Sequence, residues 1–104
     1  MKIENTMKIL SSKLRLKLLA HFFTCCCNSH GVSSLVEKVG TTQANVSKHL
    51  NYMQEKKVIL SRSEHKEKFY MINPKFKEEN EVLLEFVLLR EELEKYYCSC
   101  HSSK

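Results

Sequence analysis

The chain has little of what interrupts secondary structure: its 104 residues include two glycines and one proline. Long loops are therefore few, and most residues must lie in helices or strands joined by short turns. No run of about 18 apolar residues occurs, which excludes a membrane-spanning helix. The opening residues MKIENTMKILSSKLRLK mix charge through any apolar core and do not read as a secretion signal. A cytoplasmic protein with no membrane partner is expected. Repeats and low-complexity tracts are missing as well. So is the equipment of catalysis: there is no glycine-rich phosphate loop, no paired-carboxylate setting and no Cys-x-x-Cys. An enzyme is not expected. The length fits one domain, 1–104, of a size at which burying a helix against a second copy would help stability.

What is present begins with charge. The formal net charge is +5, unevenly placed. Residues 37–77 carry nine Lys and Arg against four Glu, whereas residues 78–95 carry seven Glu against two Lys and Arg. A basic middle beside an acidic helix suits a nucleic-acid face turned away from a different surface.

Apolar spacing predicts a short helix over 2–10, a second from a Ser11 or Ser12 cap to about Phe23, and a third over about Ser33–Val39 that Gly40 ends. A fourth, Gln43–Glu55, follows a Thr41-Thr42 cap, with Val46, Leu50 and Met53 on one stripe. Two β-prone runs, within about 58–73 and joined by Glu64, His65 and Lys66, read as a hairpin that Pro74 stops. A last helix is expected over about 77–98. Its apolar residues cover most of its circumference, so a second face should meet another subunit. The expected fold is mainly α with a small β-hairpin, a winged helix-turn-helix in the order α-α-α-α-β-β-α, working as a homodimer.

That order places a polar-faced helix after a tight Gly-Thr-Thr turn, followed by a basic hairpin. One α-helix fits a major groove. Gln43 can pair with an adenine edge, Ala44 can touch a thymine methyl, and Lys48 can reach guanine or phosphate. Thr42, Ser47 and the helix N-terminal amides suit phosphates. Arg62, His65, Lys66 and Lys68 of the hairpin can follow the backbone or minor groove. The expected partner is therefore a double-stranded DNA operator. His49, beside Leu50, is read as a packing residue, and so is His21 unless it lies at the surface. The bland reading is a solvated polar face, which leaves the basic hairpin unexplained. A protein-interaction module without DNA binding is the alternative from another class.

Residues Ser12–Phe76 resemble the arsenic-repressor/SmtB (ArsR/SmtB) family of bacterial metal- and redox-sensing repressors. Lys13-Leu14-Arg15-Leu16-Lys17-Leu18-Leu19 is similar to the family's second helix. Gly40-Thr41-Thr42-Gln43-Ala44-Asn45-Val46-Ser47-Lys48-His49-Leu50 is similar to its recognition motif, and Phe69-Tyr70-Met71-Ile72-Asn73 to its second wing strand. The resemblance implies a recognition helix at 43–55, a wing at 58–73, a dimerisation helix at 77–98, and a homodimer on an operator of two-fold character. The chain departs from the pattern at Lys57 and His65, where the family usually has glycine. It departs again at Gly31 and Ser33, where a Cys-x-Cys pair would fall, and in lacking histidines along the last helix.

Five cysteines in a reducing compartment do not make a disulfide scaffold. They form two clusters, Cys25-Cys26-Cys27 followed by His30, and Cys98-Ser99-Cys100-His101. Soft thiolates would take Zn(II), Cd(II), Cu(I), Pb(II) or As(III), and binding such an ion would release the repressor. The alternative is a thiol-redox or reactive-sulfur sensor using one Cys from each cluster. The plainest alternative is that these cysteines are small buried hydrophobes.

Overall fold

A computed structural model of the chain describes residues 2–25 and 30–98. The elements run α1 (Ile3–Ile9), α2 (Lys13–Thr24), β1 (His30–Gly31), α3 (Val32–Val39), α4 (Gln43–Glu55), β2 (Ile59–Glu64), β3 (Glu67–Ile72) and α5 (Pro74–Arg90). A single 3-10 turn at Glu94–Tyr96 follows. None of the described helices is long and apolar enough to cross a membrane.

Helix α2 is the centre of the molecule. Ser12 caps it, its side chain accepting from the Arg15 N–H at 3.4 Å, and Leu18, Leu19 and Ala20 have no exposed surface. Its spacing of leucines and phenylalanines buries it on several sides at once. Around it a core forms from Ile9, Leu18, Leu19, Phe22, Leu35, Val46, Leu50, Met53, Ile59 and Leu84. Each such side chain contributes about 1.5–3 kcal/mol of transfer free energy when fully buried.

Helix α3 ends at Gly40, whose φ of 70° is left-handed and whose N–H donates to the Val36 carbonyl at 2.9 Å. Strands β2 and β3 form an antiparallel hairpin in which Ile59 faces Ile72 and Glu64 faces Glu67. Its two-residue loop, His65-Lys66, has both φ values positive, at 52° and 69°, the conformation that matches strand twist in a tight hairpin. Lys57, just after α4, is also left-handed at 63°. Two positions where the resemblance leads one to expect glycine thus keep the glycine-like backbone with a side chain attached. The short strand β1, absent from the sequence expectation, pairs with the other edge of β3 to give the order β1-β3-β2.

The last helix differs from its expected span of 77–98 at both ends. It starts at Pro74, which sits where a helix needs no donor. Asn73 caps it, accepting from the Lys75 N–H at 3.0 Å. Near its start Asn80 leaves the helical conformation (φ −122°), with its side-chain amide donating to the Phe76 carbonyl at 3.0 Å. The helix stops at Arg90, and Glu92 turns left-handed at φ 54°. Leu93 then folds back to be buried with Ala20 and Leu88. Burial against α2 overrides a pattern that was helical on paper. Hydrogen bonds fasten the returning segment to α2: His21 Nδ1 donates to the Tyr96 carbonyl at 3.2 Å, and the Cys98 N–H donates to Thr24 Oγ1 at 2.9 Å.

Candidate nucleic-acid interface

Helix α4 holds its polar face outward by burying the opposite one. Val46, Leu50 and Met53 have no exposed surface, while Gln43, Ala44, Asn45, Lys48 and Asn51 are exposed and Ser47 is half-buried. Leu35 and Val39 of α3 share that core. The entry to α4 is rigidly built. Thr42 Oγ1 accepts from the Asn45 N–H at 3.2 Å, and Asn45 Nδ2 donates to Thr41 Oγ1, also at 3.2 Å. Thr42 is thus a helix cap first, with its hydroxyl hydrogen left for an outside acceptor. The first-turn amides of α4 that lack helical partners favour an anion at this end.

The hairpin carries Arg62, His65, Lys66 and Lys68, all exposed. The register divides them. Arg62 faces Phe69 across the ladder and Lys68 faces Ser63, so alternation puts Arg62 and Lys68 on opposite faces. Each face offers one basic group, and the tip offers His65 and Lys66. Arg62 also lies 5.3 Å from the Phe69 ring centroid and 3.4 Å from Glu64. An ion pair this exposed contributes little to stability and exchanges readily for a phosphate.

Two residues outside the predicted site shape it. Arg15 of α2 donates through Nε to the Ile9 carbonyl (2.9 Å) and through Nη2 to the Lys8 carbonyl (3.0 Å). Its Nη1 lies 3.1 Å from His49 Nδ1, and its guanidinium lies 4.5 Å from the Tyr52 ring centroid. His49 is therefore a packing residue with a defined polar partner. Burial lowers its pKa from the usual histidine value, and the positive charges of Arg15 and Lys48 lower it further. Spacing on α4 marks His49 as inward-leaning. Nothing in the sequence marks Arg15 as its partner, because the pair is 34 positions apart.

The thiols present a second arrangement. Cys25 is buried at the end of α2, and Cys98 is half-buried on the returning segment. The Thr24–Cys98 hydrogen bond brings the two stretches together within one chain. Cys26, Cys27, Cys100 and His101 lie outside the described residues, as does the side chain of His30. Among the described residues no group of three or more His, Cys, Asp or Glu side chains could hold a metal ion. Cys25 and Cys98 are soft donors of the right kind, but as described they do not amount to a metal centre. His21, one turn before Cys25 on α2, is buried, and burial lowers its pKa below the usual 6.5.

A helix packed across a groove-sized helix, with a two-stranded wing beside it, defines the winged helix-turn-helix fold. No protein-family model matches the chain, and no curated protein sequence matches it. Solved structures do. The transcriptional repressor BigR from Xylella fastidiosa superposes with a TM-score of 0.70 at 23% identity, covering 86% of each chain. HlyU from Vibrio cholerae gives 0.68 at 21% identity, over 81% of this chain and 89% of that one. A fragment of Mb0332 from Mycobacterium bovis gives 0.67 at 18% identity, over 86% and 78%. It is described as a homodimeric winged helix-turn-helix DNA-binding domain of a possible ArsR-family transcriptional regulator. At these identities the likeness establishes the fold.

Proposed function

We propose that the chain is a DNA-binding transcriptional repressor of the arsenic-repressor/SmtB type, acting as a homodimer on a two-fold operator. One observation carries this reading: α4 buries Val46, Leu50 and Met53 completely and leaves Gln43, Ala44 and Lys48 exposed beyond a capped turn. Gln43 and Lys48 read base edges, Thr42 and Ser47 hold phosphates, and the wing residues Arg62, His65, Lys66 and Lys68 flank the duplex.

Dimerisation uses an apolar face that the single chain leaves open. Ile3 and Met7 of α1 and Val82, Phe86 and Leu89 of α5 are 49–82% exposed. Ile3, Val82, Leu83 and Phe86 line one cleft between those helices.

Release from DNA is assigned to the thiols, through a soft ion or through oxidation of a Cys25–Cys98 pair. Support comes from the Thr24–Cys98 bond, which sets the returning segment beside Cys25 and fastens it to α2. Strain at the thiols would thereby reach the helix against which α4 is packed.

Selection of duplexes from a random library, followed by gel retardation, tests the reading. A short palindrome should be retained, with binding that weakens steeply as salt rises. Replacing Gln43 and Lys48 with Ala together should reduce specific affinity by roughly 10²-fold or more, at about 1–3 kcal/mol for each good base contact. A thiophilic ion or a mild oxidant should release the parent chain but not a Cys25→Ser/Cys98→Ser variant. Failure to select any sequence would favour a protein-binding module, and unchanged retention by the double Ala variant would remove α4 from the interface.

A further inference from the structure

The contacts of one side chain join three elements that the DNA reading needs held together. A guanidinium has five donors and no acceptor. In the 3.1 Å contact between Arg15 Nη1 and His49 Nδ1, the histidine must therefore accept, which requires a neutral ring with its proton on Nε2. The other two Arg15 bonds go to the Lys8 and Ile9 carbonyls. Both lie in the last turn of α1, where the Lys8 carbonyl also accepts from the Ser11 N–H at 3.3 Å and from Ser11 Oγ at 2.6 Å. The stack on Tyr52, also of α4, fixes the plane of the fork. Helix α1, which carries the exposed Ile3 and Met7, is thus tied through one planar group to α4, which carries Gln43 and Lys48.

We propose that Arg15 is the positioning residue of the DNA-reading helix, acting through neutral His49, and that protonation of His49 uncouples this helix from α1. The proposal rests on the DNA-binding reading above. A proton on Nδ1 would point one donor at another and would place an imidazolium between two cations. The charges acting on His49 are both positive, Arg15 from α2 and Lys48 from its own helix. The Lys8 and Ile9 carbonyls of α1 accept from the same guanidinium. The Tyr52 ring, on the next turn of α4, has the Arg15 guanidinium 4.5 Å and Lys56 Nζ 5.8 Å from its centroid. The burial that lowers the pKa of His49 works in the same direction as these charges, so the joint is closed at neutral pH and opens on acidification.

The test uses the full chain. Nitrogen NMR of the His49 ring without DNA should show the Nε2–H tautomer at neutral pH, and Arg15→Lys should shift both the tautomer balance and the titration midpoint. With a selected duplex, the ratio of specific to random-sequence affinity should fall about tenfold between about pH 7.5 and about pH 5.5, the scale of a lost hydrogen bond to a charged group. His49→Asn supplies an amide oxygen near the Nδ1 position and does not titrate, so its ratio should stay flat. An Nδ1–H tautomer in the parent chain, or one shared pH profile for parent and His49→Asn, would overturn the proposal while leaving DNA binding intact. No specific retention by the parent chain at neutral pH would overturn the DNA reading and this proposal with it.

Discussion

At the scale of single residues, the buried histidine of α2 makes the folded state sensitive to acid. His21 is 6% exposed, and its pKa is lowered from 6.5 chiefly by burial; the Lys38 charge adds a smaller push the same way, and the bond to the Tyr96 carbonyl opposes both. The unfolded chain therefore takes up a proton that the folded chain resists. Stability from this group is fully present above pH 6.5 and declines as the pH falls below that value toward the depressed folded pKa. Chemical denaturation at a series of pH values should show that decline, and His21→Asn, which keeps a side-chain donor for Tyr96, should flatten it. An equal acid slope in the variant would mean that His21 is not the cause. Residue identity made some of the site legible. The exposed outer residues of α4 could be read from spacing alone, since they lie opposite one buried stripe. Arg15 could not, because its partners lie on helices separated from it in sequence and only tertiary packing joins them.

At the scale of elements, legibility followed how much each boundary is decided locally. Caps and a glycine stop decide α3 and α4: Thr42, Gly40 and the turn between them are visible in the sequence and do the same work in the structure. The end of the last helix is decided by tertiary packing instead. Its apolar pattern runs on past Arg90 without a glycine or proline, yet the chain turns at Glu92 because Leu93 finds a buried place beside Ala20 and Leu88. Two substitutions separate that arrangement from a continuous helix. Glu92 pays a left-handed penalty that glycine does not, so Glu92→Gly should stabilise the fold by up to about 1 kcal/mol, whereas in a helix interior it would cost about 1 kcal/mol. Leu93→Ala should cost about 2–5 kcal/mol, as for a buried leucine. Urea denaturation of both variants reads the two signs together. A destabilised Glu92→Gly would argue for a helix extended through the turn.

At the scale of the whole molecule, basic charge and the open apolar residues of α5 fall on different stretches of the chain. The basic segment 37–77 includes α4 and the wing, and the acidic segment 78–95 surrounds the open apolar residues of α5. Glu78, Glu79, Glu81 and Glu85 line the same cleft as Val82 and Phe86. Such a surface repels a duplex and suits the proposed self-association, in which α1 supplies Lys2 and Lys8 beside Ile3 and Met7. Pairing two copies there would make the second DNA contact an intramolecular event. Its gain in affinity can reach about 10²–10⁴-fold without any new contact to a base. Phe86→Asp places a charge in the centre of that surface without touching the core around α2, since Phe86 is 61% exposed in the single chain. The variant should remain folded by circular dichroism and sediment as a monomer. It should bind a single half-site as the parent chain does, and lose the affinity gain on the full palindrome. If it still sediments as a dimer, the α1–α5 face is not the dimer interface. If it is monomeric yet keeps full affinity for the palindrome, pairing through this face does not position the reading helices on DNA.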